Sequence, residues 1–106
     1  MVRRGEIWLA ALDPAVGSEI QKTRPCVIIS PAEMHDYLKT VIVAPMTTGS
    51  KTAPYRIPVT FQRKKGLILL DQIRTLDKTR LVKKMGMTTS KTLSGTLDVL
   101  QDIFAR

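Results

Sequence analysis

Residues 17–30 read GSEIQKTRPCVIIS, and the change of character in the middle of this stretch sets the architecture. Its first half is polar and turn-like. Its second half, Pro25 to Ser30, is an almost unbroken apolar run, the pattern of a strand buried on both faces. Arg24 stands at the seam. The residue before a proline is driven into extended backbone, so this arginine is stiffer than a loop residue and too charged for the core. A permanently charged planar fork held at a strand mouth suits bidentate contact with a phosphate.

Working outward, EIWLAAL (Glu6 to Leu12) predicts a first strand stopped by Asp13-Pro14, with the polar loop Asp13 to Thr23 leading into the second. Ser30-Pro31-Ala32-Glu33 has the form of a capping box with proline at the first helical position, predicting a short helical turn through Tyr37. TVIVAPM (Thr40 to Met46), YRIPVTF (Tyr55 to Phe61) and GLILLDQI (Gly66 to Ile73) read as three further strands, and TRLVKKMG (Thr79 to Gly86) as a short sixth. Pro58 removes a ladder donor, so the fourth strand belongs at an edge or carries a bulge. Thr88 to Arg106 reads as a helix whose Leu93, Leu97, Leu100 and Phe104 share one face, widened by Val99 and Ile103, and this stripe is expected to face its own barrel. The expected fold is mainly β (α+β): one domain spanning residues 1–106, a small antiparallel barrel packed by a C-terminal helix.

Charge points to a class of partner. Seventeen Lys and Arg against nine Asp and Glu leave a net charge of +8, which favours a polyanion, although excess charge also serves solubility. The single cysteine, Cys26, allows no disulfide framework and no thiolate metal cage, and implies a reducing cytoplasmic setting. No stretch approaches the roughly 20 apolar residues of a membrane span, and the apolar run of MVRRGEIWLAAL is too short for a signal segment. One histidine, His35, reads as a surface residue of the short helix. The nine carboxylates show no metal-ligand spacing, and no Gly-rich phosphate loop occurs, so neither a metal nor a nucleotide cofactor is expected. What remains is polar groups at strand ends: Arg24, then Thr47 and Thr48 after the third strand, then Asp71, Gln72 and Arg74 after the fifth.

Four blocks in order, RGEIWLAALDPAVGSE (Arg4 to Glu19), TRPCVIIS (Thr23 to Ser30), VIVAPMTTGSK (Val41 to Lys51) and LLDQIRTLDKTRLVKKMG (Leu69 to Gly86), resemble the MazF/PemK (Kid) family of toxin endoribonucleases. The resemblance implies an SH3-like β-barrel of the CcdB/PemK type, a homodimer, metal-independent cleavage of single-stranded RNA, and an acidic MazE-like antitoxin. It places the family's Arg-Pro arginine on Arg24, its catalytic threonine on Thr47, its loop glutamate on Glu19 and the aspartate of its Asp-Gln pair on Asp71. Departures from the family pattern fall at Ile20-Gln21-Lys22, at His35-Asp36 and at Leu69. Gln21, Lys22, Thr48, Lys51, Tyr55, Arg56, Gln72, Arg74 and Arg80 are the expected RNA contacts, with Tyr55 able to stack on an unpaired base. Two alternatives use the same fold: a CcdB-like poison of a protein target, and an RNA-binding barrel without chemistry.

Overall fold

The computed structural model describes residues 1–49 and 51–106; Ser50, inside the VIVAPMTTGSK block, lies outside the described residues. Its strands are β1 (Glu6–Ala11), β2 (Thr23–Ile28), β3 (Thr40–Thr47), β4 (Arg56–Phe61), β5 (Lys64–Leu69), β6 (Arg74–Asp77) and β7 (Leu81–Met87), with helices α1 (Ala32–His35) and α2 (Ser90–Phe104). All pairings are antiparallel, in the order β4-β5-β3-β2-β1-β7. β6 pairs with the first half of β3, and β5 with its end. β5 and β6 therefore act as one strand interrupted by the 3-10 turn Leu70–Gln72, and the sheet curls into a half-barrel. The edges approach at Phe61 on β4 and Gly86 on β7: a Cβ on Gly86 would meet the Phe61 ring at 3.4 Å.

β2 shows why the apolar run reads as doubly buried. Val27 and Ile29 join Ile7, Ala44, Met46, Ile68 and Leu70 in one core cluster, capped by Leu100 of α2. Cys26 and Ile28 face the other, with Ala10, Leu12, Val41, Val43 and Leu76. Burial pushes the Cys26 thiol up to about 12, so it stays a neutral packing group. Leu97 and Leu100 do face their own barrel, joined by Val99 and Ile103. Phe104 does not: at the helix end it is 71% exposed.

Several boundaries differ from the sequence reading, each for a local reason. β4 and β5 form a two-residue hairpin in which Gln62 and Arg63 both take positive φ, 51° and 64°, a type I′ geometry matched to strand twist. Without Asn or Gly there, the turn left no signal, so β5 begins two residues before the expected Gly66. The expected strand through Ile73 breaks at Leu70, and a seventh strand, β6, follows. β4 is an edge strand, as Pro58 requires. Ser30 does not cap α1. Its Oγ instead accepts from Ile42 N at 2.9 Å and bonds His35 Nε2 at 2.6 Å. His35 is therefore not a surface residue: it is 5% exposed, with Nδ1 2.8 Å from Val2 O, tying the chain start to β3.

Candidate functional site

The β2–β3 pairing ends at the Arg-Pro seam, where the polar groups gather. β2 and β3 pair only over Cys26–Ile28 and Val43–Pro45. Continuing that register by two residues sets Arg24 opposite Thr47. Pro25 cannot donate to the β2–β3 ladder, and the pairing ends at Cys26 and Pro45. Arg24 and Thr47 line two adjoining depressions just beyond that end. Arg24 is half-buried, its Nε donating to Gln21 O at 3.0 Å, and its two terminal nitrogens have no partner among the described residues. Thr47 is 9% exposed. Its Oγ1 accepts from Gly49 N at 3.2 Å, which leaves the hydroxyl hydrogen able to donate.

β5 fixes Thr47 from the other side. Thr47 pairs with Leu67, and the neighbouring Gly66 lies so close that a Cβ there would stand 2.6 Å from Thr47 O. Glycine is required for that approach and not for its dihedral angle.

A polar cleft gathers many of the residues expected from sequence: Glu19, Gln21, Arg24, Thr47, Thr48, Arg56 and Gln72 line it together. The polar loop forms one wall and is tied down at several points. Ile20 N donates to Gln72 Oε1 at 2.6 Å, Leu12 N to Lys22 O at 3.0 Å, and Lys22 N to Asp13 Oδ1 at 3.0 Å. Glu19 is exposed, and its Oε1 accepts from Val16 N at 2.7 Å.

Asp71 does not line that cleft. Both its oxygens accept from Arg56, at 3.1 and 3.0 Å. The Arg56 guanidinium beside it holds the Asp71 carboxyl below the usual carboxylate range. Arg56 is thereby aimed at the cleft by a partner that is itself spent. Arg74 lines a neighbouring depression with Glu19, Asp71 and Gln72, and it and Arg80 donate from Nη1 to main-chain carbonyls: Arg74 to Leu12 O at 3.0 Å, Arg80 to Ala11 O at 3.1 Å and Asp13 O at 2.7 Å. They brace the loop base, and only sequence-distant contacts reveal it. Lys22 and Lys51 are exposed outside the cleft wall, and Tyr55 lines a separate depression against Asp102, Ile103 and Phe104. Among the described residues no group of three or more His, Cys, Asp or Glu could hold a metal ion. No helix among them is long and apolar enough to cross a membrane.

Beyond Arg24, Thr47 and Thr48 the cleft continues into a second depression that the sequence did not announce, lined also by Phe61, Gln62 and Lys64 of the β4–β5 hairpin. The run of Arg63, Lys64 and Lys65 was the one available signal.

The model of the family described as PemK-like, MazF-like toxin of type II toxin-antitoxin system matches residues 3–104. Endoribonuclease MazF of Staphylococcus epidermidis is 45% identical over 91 residues, covering 80% of this chain and 76% of that protein. MazF of Deinococcus radiodurans superposes with a TM-score of 0.87 at 20% identity, covering 99% and 97% of the two chains. A mycobacterial endoribonuclease solved in complex with its cognate antitoxin gives 0.80 at 21%, covering 96% and 93%. At these identities the solved structures establish the SH3-like fold, while the family model and the staphylococcal relative reach further: this chain belongs to the PemK-like, MazF-like toxins of type II toxin-antitoxin systems.

Proposed function

We propose that this protein is a sequence-specific endoribonuclease toxin that cleaves single-stranded RNA without a metal ion, acting in the cytoplasm as a homodimer and neutralised by an acidic antitoxin. The observation that carries the reading is that Arg24 and Thr47 line one cleft just beyond the end of the β2–β3 pairing, with both Arg24 terminal nitrogens unspent among the described residues. In the reaction the ribose 2′-oxygen forms a bond to its own phosphorus while the bond from phosphorus to the 5′-oxygen breaks. The 2′-hydroxyl proton passes to a base and the leaving oxygen gains one, yielding a 2′,3′-cyclic phosphate and a 5′-hydroxyl. Arg24 stabilises the charge that builds on the phosphorane, a contribution of order 10² to 10³ in rate for a single preorganised donor. Thr47 donates its hydroxyl hydrogen to a phosphate oxygen.

The base is Glu19. Arg56 bonds both Asp71 oxygens and lowers the basicity of that carboxylate, and Asp71 is absent from the cleft lining, whereas Glu19 lines the cleft and leaves Oε2 uncommitted. General-base assistance of about 10² to 10⁴ then sets the scale of its loss. Arg56 and Gln72 extend the phosphate-binding wall. Solved relatives include a MazE-MazF complex from Deinococcus radiodurans, and the +8 charge of this chain suits an acidic segment lying over the same cleft.

The test is incubation of purified protein with a long single-stranded RNA in excess EDTA, with Arg24→Ala alongside. Discrete cuts bearing 5′-hydroxyl ends, abolished in Arg24→Ala while its oligomeric state is kept, are expected. Bound but uncut RNA would move the function to a non-catalytic binder, and neither binding nor cutting to a poison of a protein target. Glu19→Gln cleaving at the wild-type single-turnover rate would remove Glu19 as the base.

A further inference from the structure

We infer that the β4–β5 hairpin builds a nucleobase subsite beside the scissile phosphate, with Gln62 reading the edge of the base and Phe61 supporting its ring. This rests on the ribonuclease reading and specifies where part of the sequence preference comes from. The depression has an apolar floor of Met46, Val59, Phe61 and Leu67 and a polar rim that includes Gln62 and Lys64. Its volume of about 210 Å³ is below the roughly 300 Å³ at which pockets for drug-sized ligands begin, a size suited to one unstacked base. Single-stranded RNA is recognised by such splayed bases, packed on aromatic side chains and hydrogen-bonded along their edges.

Its position makes a base the fitting occupant. Arg24, Thr47 and Thr48 line both this depression and the polar cleft. A phosphate held by Arg24 and Thr47 therefore has a neighbouring sugar and base at the mouth of the apolar space. Lys64 is exposed on the rim, and Arg63 and Lys65 flank it at the hairpin tip, giving positive charge where the chain's next phosphate would pass. Gln62 is exposed with no hydrogen-bond partner among the described residues, and its left-handed backbone, φ 51°, turns on the I′ hairpin. A side-chain amide can pair with a base edge through a donor and an acceptor together.

The experiment uses a pool of single-stranded RNA randomised around the cut, with fragment ends sequenced for wild type, Gln62→Asn, Phe61→Leu and Lys64→Ala. Asparagine tolerates the left-handed backbone, so Gln62→Asn should fold as wild type by urea unfolding. Expected is a roughly tenfold loss of base preference at one position next to the cleaved bond, read as slower cleavage of the best sequence, with preferences elsewhere retained. An abasic residue at that position should slow wild type but add little to the defect of Phe61→Leu. Lys64→Ala should keep the preference and lower the salt dependence of binding by about one charge.

Wild-type preferences at every position in both Gln62→Asn and Phe61→Leu would overturn the subsite while leaving the ribonuclease standing. So would an even loss across all positions, the mark of a merely structural role. A wild-type protein that cuts nothing would bring down both.

Discussion

Gly66→Ala is the sharpest perturbation this fold offers, because it replaces no proposed catalytic group yet presses directly on one. The added Cβ would stand 2.6 Å from Thr47 O, 3.3 Å from the Thr47 carbonyl carbon and 3.6 Å from Thr48 Cγ2. The nearest contact must open by about 0.8 Å, from 2.6 to an ordinary 3.4 Å. The atom in the way is backbone in a paired strand, which cannot rotate aside as a side-chain tip would. Forcing it should cost about 1–3 kcal/mol of stability, the usual range for overpacking. Thr47 moves with its carbonyl, and a misplacement near 1 Å costs on the order of 10²-fold in rate. The assay is single-turnover cleavage of an excess-bound RNA, with fluorescence anisotropy for affinity and urea unfolding for the folded fraction. Expected is a rate lowered by about 30- to 100-fold per folded molecule, with affinity changed far less. Gly95→Ala is the control: nothing lies within 4 Å of its Cβ position in α2, so it should stabilise by about 0.5–1 kcal/mol and leave cleavage alone. A Gly66→Ala protein that cleaves within threefold of wild type would refute the claim that β5 positions Thr47.

Other consequences can be read independently of catalysis. Arg63 holds φ 64° at the hairpin, a conformation that strains an L-residue, so Arg63→Gly should raise the urea-unfolding free energy by about 0.5–1 kcal/mol. Thr96 is 1% exposed and its Oγ1 has no hydrogen-bond partner among the described residues, so Thr96→Val should be neutral or stabilise by about 1 kcal/mol. Glu6 is buried, which pushes its carboxyl up, but bonds from Trp8 Nε1 and Arg3 N and the ion pair with Lys84 more than offset that and leave it below the ordinary 4.5. A depressed folded pKa contributes stability that is fully present above the unfolded value and lost as pH falls through the folded one. Urea midpoints should therefore decline below about pH 4.5, and Glu6→Gln should flatten that part of the profile while costing about 1–3 kcal/mol at neutral pH.

Local composition made some of this architecture legible and hid the rest. VIIS and VIVA could be read as core strands because a strand buried on both faces has no polar alternation to lose, and Pro58 declared its edge. The break at Leu70 carried no proline or glycine: it follows from β3 being long enough to take two successive partners, which only the tertiary pairing defines. His35 looked like surface because its helix is four residues long, too short to show a periodicity. Its burial is created by Val2, 33 residues away, and Ser30.

The same division runs through the candidate site. Arg24 could be singled out because the following proline acts on the residue beside it, a local effect. That Arg74 and Arg80 brace the loop and Asp71 pairs with Arg56 could not, since an arginine donating to a carbonyl 62 residues distant has the same sequence signature as one reaching for a phosphate. Charge therefore named the class of ligand, but the backbone decided which charges remain to meet it. Of the three arginines at the strand ends, Arg24, Arg56 and Arg74, only Arg24 keeps both terminal nitrogens uncommitted among the described residues. Pro25, beside it, has no N–H to offer β3, the β2–β3 pairing ends at Cys26 and Pro45, and beyond that end the unspent donors are left for the substrate.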